Sequence, residues 1–120
     1  MKVILTVDDS ATIRQMTSLV LNGAGYQVIE AVDAIDALGK LNGQDIDLIL
    51  TDINMPEMDG IEFTRQIRAT AHYKFVPVIM LTTESQVEKK QEGKAAGATG
   101  WIVKPFTQDQ LLAVVKKVCP

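Results

Sequence analysis

Residues 47–60 read Asp-Leu-Ile-Leu-Thr-Asp-Ile-Asn-Met-Pro-Glu-Met-Asp-Gly, and this stretch contains the pattern that decides the fold. Its first part, Asp47–Asp52, is a short apolar run that ends in a carboxylate, which is typical of a strand buried on both faces. The loop that follows contains Pro56 and Gly60, residues that interrupt regular structure. The stretch therefore predicts one strand of a buried parallel sheet, with a carboxylate at its carboxyl end.

The same alternation extends to both ends of the chain. The predicted strands are Lys2–Val7, Tyr26–Ala31, Asp47–Asp52, Val76–Thr82 and Thr99–Val103. The predicted helices begin at Ser10, at Asp33, after Gly60, at Ser85 and at Thr107. Apolar residues recur at helical spacing in the first two: Ile13, Met16 and Val20 in the first, and Ile35, Leu38 and Leu41 in the second. Five strands alternating with five helices predict parallel β-α units in an α/β three-layer sandwich.

Composition limits the classes of function. The chain has 120 residues, 47% of them hydrophobic, which favours one globular domain. A net charge of −3 argues against nucleic acid as a direct ligand. The single cysteine, Cys119, cannot form an internal disulfide, as is typical of a protein from a reducing cytoplasm. No apolar stretch approaches the roughly 20 residues needed to cross a bilayer, so no membrane insertion is expected.

Polar side chains follow four of the five predicted strands. They are Asp8 and Asp9, Asp52, Thr82 and Thr83, and Lys104. Because ligands of such sheets bind beyond the carboxyl ends of the strands, we expect these residues to converge. Three carboxylates close together repel by about 4 kcal/mol per pair at about 4 Å, so they require a cation or a proton. Carboxylates without His or Cys are typical of Mg²⁺ sites, and an activated aspartate can itself accept a phosphoryl group.

Four motifs carry a resemblance to a known family. Val7-Asp8-Asp9-Ser10, residues 51–60, Leu81-Thr82-Thr83 and residues 101–106 resemble the receiver domain of two-component response regulators, in the family's order and across essentially the whole chain. The likeness is to stand-alone receivers of the chemotaxis CheY type. It implies a flavodoxin-like (βα)5 fold with strand order 2-1-3-4-5. It also implies that residues 1–120 form a single receiver domain with no output domain.

The resemblance assigns roles to the acidic residues. It implies that Asp52 is the phosphoacceptor and that Asp9 and Asp52 bind Mg²⁺ directly. Asp8 is expected to help through water, and the backbone carbonyl of Asn54 is expected to be a further ligand. Mg²⁺ is thus the expected cofactor.

The resemblance also implies a switch. Thr82 is expected to move to the phosphoryl oxygen and Lys104 to pair with it, with a cis peptide between Lys104 and Pro105. Trp101 lies at the switch position, where Tyr, Phe or His is more usual. Asn54 and Glu84 occupy the two positions that tune the lifetime of the phosphoryl group.

As a receiver, the chain is expected to be a cytoplasmic, monomeric signalling protein that catalyses only its own phosphorylation and dephosphorylation. A histidine kinase is the expected phosphodonor. An output protein, the flagellar motor switch if the pathway is chemotaxis, is expected to bind the face of the fourth helix, fifth strand and last helix. A phosphatase is a further candidate partner. The fourth helix, from Ser85 to Gly97, has little bulky apolar surface, and Gly93 weakens it, so its movement should cost little free energy.

Three alternatives stay open at this point. Within the family, the chain could be a phosphate sink or a relay intermediate. A Mg²⁺-dependent phosphohydrolase would need Asp-x-Asp after the first strand, and Asp8-Asp9-Ser10 lacks that spacing. A flavin-binding electron carrier would place its phosphate against Asp8 and Asp9, where hydroxyl and backbone donors would be needed, so it ranks last.

Overall fold

The computed structural model of the chain describes residues 1–83 and 88–120. Its strands are β1 (Val3–Val7), β2 (Gln27–Ala31), β3 (Leu48–Asp52), β4 (Val78–Thr82) and β5 (Gly100–Val103). Its α-helices are α1 (Ala11–Gly23), α2 (Ala34–Leu41), α3 (Gly60–Ala69), α4 (Lys90–Ala96) and α5 (Gln108–Val118), and a short 3-10 helix spans Ala71–Tyr73. The strands form one parallel sheet in the order β2-β1-β3-β4-β5, which confirms the predicted flavodoxin-like fold.

The apolar core lies on both faces of this sheet. Every residue of β3 and β4 is buried, which explains why these strands are continuous apolar runs rather than alternating ones. On one face, Leu5 and Ile49 pack with Phe63 and Ile67 of α3. On the other face, Leu48, Leu50 and Ile79 pack with Leu111 and Val115 of α5. The sheet is therefore the middle layer of a three-layer sandwich.

Three of the predicted helix starts are capped as the sequence indicates. The side chain of Ser10 accepts a hydrogen bond from the backbone N–H of Ile13, and Asp33 accepts one from Asp36. Thr107 forms a capping box with Gln110. The predicted helix start at Ser85 lies outside the described residues. Each cap begins a helix within a few residues of a strand's carboxyl end.

The buried faces of α1 and α2 differ from the apolar stripes in the sequence. Met16 and Ile35 lie 47% and 48% exposed, whereas the buried residues are Thr17, Ser18 and Leu21 in α1 and Ala34, Ala37 and Leu41 in α2. Most of these buried side chains are small, and close-packed interiors select side chains for fit as well as for hydrophobicity. The apolar spacing predicted the helices correctly, but of the apolar residues that it named in α1 and α2 only Leu41 is buried.

Helix α4 contacts its neighbours through glycines. A Cβ added at Gly93 would lie 2.9 Å from Met80 Sδ, so the glycine permits close approach to β4. At the other end, Gly97 has φ of 109°, and its carbonyl oxygen accepts bonds from Arg68 Nε at 3.1 Å and Nη2 at 2.9 Å. The sequence analysis treated Gly93 only as a weakness. The structure shows that it is a packing residue in a helix whose carboxyl end is tied to α3.

None of the helices in the described residues is both long enough and apolar enough to span a membrane.

Candidate functional site

The acidic residues predicted to converge do so at the carboxyl edge of the sheet. Asp8 and Asp9 follow β1, and Asp52 is the last residue of the adjacent strand β3. One carboxylate oxygen from each of the three residues lies within 4.8 Å of those of the other two. Asp8 is 2% exposed and Asp52 is 8% exposed, whereas Asp9 is exposed to solvent. The site is thus a pocket with two buried carboxylates and a third at its opening.

Asp52 is fixed by the turn that follows it. Its Oδ1 accepts a hydrogen bond from the N–H of Ile53 at 2.9 Å, and the carbonyl of Ile53 accepts one from the N–H of Gly60 at 2.8 Å. A Cβ at Gly60 would lie 2.2 Å from the backbone oxygen of Asp52, a distance that no side chain tolerates. Gly60 therefore lets the start of α3 pack directly against the end of β3.

Asp8 is held by hydrogen bonds of its backbone and its side chain. Its N–H donates to the carbonyl of Ala31 in β2 at 3.2 Å, and its Oδ1 accepts from the N–H of Ser10 at 2.9 Å. Its carbonyl oxygen accepts from Arg14 Nη1 at 2.7 Å. The loop between β1 and α1 is thus tied to β2 and to the first turns of α1.

Lys104 supplies positive charge to the pocket. Its Nζ lies 3.2 Å from Asp8 Oδ2 and 3.3 Å from Asp52 Oδ2, and its side chain is 14% exposed. Its backbone N–H donates to the carbonyl of Thr82, and the Lys104–Pro105 peptide is cis, as the resemblance implied. The ammonium of Lys104 therefore pairs with two of the three clustered carboxylates.

The surroundings of Asp52 disfavour its charged form. Burial raises the pKa of Asp52 above its ordinary value, and the nearby charge of Asp8 raises it further. Lys104 and the N–H of Ile53 act in the opposite direction, but the pKa stays raised. The pocket thus holds negative charge that its own residues do not fully compensate, which is the electrostatic condition for binding a divalent cation.

Thr82 is the last residue of β4 and is 1% exposed. Within residues 1–83 and 88–120, its hydroxyl oxygen has no hydrogen-bond partner. A buried hydroxyl without a partner costs about 1–3 kcal/mol of stability. Thr82 follows Leu81, which pairs directly with Asp52 across the sheet. Its hydroxyl is therefore available to donate to an oxygen that enters this edge of the sheet.

The remaining predicted site residues lie around this centre. Asn54 is exposed in the loop after β3. Trp101 lies in β5 beside Met80, is 37% exposed, and has Lys90 Nζ at 4.9 Å from its ring centroid. Glu84, predicted to tune the phosphoryl lifetime, lies outside the described residues.

The sequence analysis missed the contacts of two basic residues, Arg14 and Lys90. Arg14 lies one to two turns beyond Asp8 and Asp9, a spacing that could have indicated a contact back to that loop. Nothing in the sequence indicated that Lys90 would cover Trp101, since the two residues belong to different elements.

The donor set fits Mg²⁺. All three clustered groups offer carboxylate oxygens, which hard divalent cations prefer, and neither His nor Cys belongs to the cluster. A flavin phosphate, by contrast, would meet like charge here. The geometry thus favours a cation shared with a phosphoryl group over a site for a bare anion.

Comparison with known proteins identifies the family. Residues 4–116 match the family model of the response regulator receiver domain. The chain belongs to this family. A receiver domain is a signalling protein rather than a true enzyme, and the triad of Asp8, Asp9 and Asp52 is typical of a receiver's Mg²⁺ site.

Individual receivers are similar along almost their whole length. The chain is 40% identical to chemotaxis protein CheY-3 of Vibrio cholerae over 116 residues, covering 96% of this chain and 89% of that protein. It is 34% identical to protein PilG of Pseudomonas aeruginosa, covering 98% and 87% of the two chains. The structure of the chemotaxis response regulator CheY4 of Vibrio cholerae superposes with a TM-score of 0.93, at 52% identity and 98% coverage of both chains. Membership of the family implies a histidine kinase as a partner of this receiver.

Proposed function

We propose that this receiver is switched on when a histidine kinase transfers a phosphoryl group to Asp52. In that step the N–P bond of phosphohistidine breaks, a carboxylate oxygen of Asp52 forms an O–P bond, and the imidazole leaves. The single observation that supports the proposal best is the convergence of Asp8, Asp9, Asp52 and Lys104 at one edge of the sheet. Asp8 and Asp52 are both buried and both contact Lys104, and we assign the acceptor role to Asp52 because the resemblance to receivers places the phosphoacceptor at this strand end.

Mg²⁺ would be held directly by the carboxylates of Asp9 and Asp52 and through water by Asp8, with the backbone carbonyl of Asn54 as a further ligand. When bound, it neutralises carboxylate charge and stabilises the negative charge of the phosphoryl oxygens. Lys104, already within 3.3 Å of Asp52, would hold the transferred group from the other side. The positive charges of Mg²⁺ and Lys104 would balance the negative charges of the three carboxylates, and an oxygen of Asp52 would be the nucleophile.

The signal would leave the site through Thr82. Its hydroxyl, which has no hydrogen-bond partner among residues 1–83 and 88–120, would donate to a phosphoryl oxygen and so move the end of β4. Thr82 pairs with Val103 of β5, so β5 and the ring of Trp101 respond to that movement. The surface made by α4, β5 and α5 then changes its affinity for an output protein, and Asn54 and Glu84 set how long the phosphoryl group lasts.

We propose chemotaxis as the pathway, because the CheY-3 and CheY4 relatives are chemotaxis proteins by name. The output partner would then be the flagellar motor switch, and a phosphatase would end the signal. We further propose a monomer that works in the cytoplasm, with residues 1–120 as one receiver domain. A phosphate sink or relay intermediate is the second candidate, since a receiver domain of a signal transduction histidine kinase is also similar, at 31% identity.

Labelling with acetyl phosphate tests the phosphoacceptor. The protein should incorporate phosphate only with Mg²⁺ present, as an acyl phosphate that hydroxylamine removes. Asp52→Asn should abolish the label, whereas Asp36→Asn, the same change in α2, should leave it intact. Full labelling of Asp52→Asn would refute the assignment. Binding of the beryllofluoride-activated protein to a motor-switch peptide then separates an output role from a sink or relay, which predicts no such binding.

A further inference from the structure

Arg14 is withdrawn from water although it lies outside the acidic cluster. Its side chain is 13% exposed, compared with 53% for Arg65 in the Arg65–Glu62 pair. Nη1 of Arg14 donates to the carbonyl oxygen of Asp8 at 2.7 Å, and its Nε donates to Glu30 Oε1 at 3.1 Å. The Glu30 side chain is 40% exposed, so the ion pair alone is worth little, but an arginine that binds two partners at once restrains their separation.

In the loop between β1 and α1, Arg14 binds the backbone that carries the carboxylates of Asp8 and Asp9. The peptide of Asp8 is held at its N–H by Ala31 of β2 and at its carbonyl by Arg14. In the part of the chain that the structure describes, no hydrogen bond or ion pair holds the carboxylate of Asp9. Its position relative to Asp8 and Asp52 therefore depends on the backbone that Arg14 restrains.

Glu30 forms the other end of this contact, and its backbone is held in the sheet. It lies in β2 opposite Thr6 of β1, and its backbone carbonyl accepts from Lys40 Nζ at 2.6 Å. The guanidinium cannot rotate without losing either the carboxylate of Glu30 or the carbonyl of Asp8. A lysine ammonium can contact two partners, as that of Lys104 does, but it lacks the separate Nε and Nη1 donors of the rigid, planar guanidinium and so does not reproduce the spacing of these two contacts.

We propose that Arg14 is a positioning residue of the cation site. By clamping the carbonyl of Asp8, with Glu30 orienting its guanidinium, it presents the carboxylates of Asp8 and Asp9 to a divalent cation in the geometry that binding requires. This inference rests on the proposed function of the acidic pocket as a Mg²⁺ site. Groups that orient metal ligands typically contribute about 10- to 100-fold to metal affinity.

The charge of Arg14 allows a decisive test. If Arg14 acted only through its charge, removing this cation near the acidic pocket would strengthen Mg²⁺ binding. If it acts by positioning, removal weakens binding despite the more negative pocket. The two explanations therefore predict changes in the dissociation constant with opposite signs.

The experiment is calorimetric titration of the intact protein with MgCl2 at fixed ionic strength. Arg14→Gln and the charge-conserving Arg14→Lys should each raise the dissociation constant for Mg²⁺ about tenfold. Glu30→Gln, which leaves Arg14 in place without its orienting charge, should raise it less. Arg65→Lys, which alters the exposed Arg65–Glu62 pair, is the matched control and should bind like the wild type.

Melting in EDTA separates positioning from general stabilisation. A merely structural role for Arg14 lowers the melting temperature but leaves the Mg²⁺ affinity of the folded protein unchanged, and that result would overturn the proposal. Tighter binding by Arg14→Gln would overturn it as well. If the Arg14 variants do not fold, unchanged affinity in Glu30→Gln is the contradicting result. Failure of the wild type to bind Mg²⁺ would instead contradict the proposed function itself.

Discussion

Replacing Asp52 by asparagine should stabilise the protein in the absence of metal. The change removes one of the three carboxylates in the pocket but retains an oxygen that can accept from the N–H of Ile53. Lys104 keeps Asp8 as its other partner at 3.2 Å. The variant therefore loses the cost of burying a charge, although its amide nitrogen replaces the oxygen that contacts Lys104, which limits the gain.

The size of the effect follows from the distances in the pocket. With an effective dielectric constant of about 20, a carboxylate within 4.8 Å of Asp52 repels it by at least about 3.5 kcal/mol, and the ammonium of Lys104 at 3.3 Å attracts it by about 5 kcal/mol. The repulsion from Asp8 and the solvent-screened repulsion from Asp9 nearly cancel this attraction, which leaves the cost of burying the charge. We expect a gain of about 1–2 kcal/mol, or about 3–8 °C in melting temperature for a chain of this size.

The effect should depend on pH. The pKa of Asp52 is raised above its ordinary value of 3.8, so the folded state binds this proton more tightly than the unfolded state does. The stability that this proton contributes is present below pH 3.8 and is lost as the pH rises through the folded-state pKa. The neutral amide side chain of the variant does not titrate, so the advantage of Asp52→Asn should be small at low pH and largest near neutrality.

Calorimetric melting in EDTA at several pH values is the assay. Asp36→Asn is the matched control, because the N–H of Val32 and the ammonium of Lys40 lower the pKa of Asp36 and the charge there is stabilising. At neutral pH that control should melt lower than the wild type. An Asp52→Asn variant that melts at or below the wild type would show that the carboxylates are not crowded as described.

Three further predictions follow from the same structure. Millimolar Mg²⁺ should stabilise the wild type by about 2.7 kcal/mol at 100 times its dissociation constant, and Asp52→Asn should lose most of that gain in thermal melts. Beryllofluoride with Mg²⁺ should change the fluorescence emission or the acrylamide quenching of Trp101, the only tryptophan, and Thr82→Ala should weaken this response. If beryllofluoride binds and the fluorescence does not change, Trp101 is a packing residue. In denaturant titrations, Gly60→Ala should lower the free energy of unfolding by about 1–3 kcal/mol, because the added Cβ meets the backbone of Asp52. Gly39→Ala in α2, where a Cβ has open space, should raise it by about 0.5–1 kcal/mol.

The sequence by itself predicted the layered α/β architecture and the convergence of the acidic residues and Lys104 at one edge of the sheet. Apolar runs such as Leu48–Leu50, alternating with capped amphipathic helices, are compatible with a parallel sheet covered on both faces, because such strands are buried on both sides. Since the carboxyl ends of parallel strands share one edge, Asp8, Asp52 and Lys104 could be placed together from their positions alone. These features depend on local pattern and chain order, both of which are written in the sequence.

Only the tertiary structure decided which side of each helix faces the sheet and what holds the site in place. Apolar spacing favoured Met16 and Ile35, but the buried positions go to smaller side chains because packing selects for fit between particular surfaces. Two contacts that shape the site join parts of the chain from different elements. Arg14 of α1 donates to the carbonyl of Asp8, and Gly60 of α3 packs against the backbone of Asp52. Such contacts depend on distances that arise only once the helices have docked, so no local pattern in the chain specifies them.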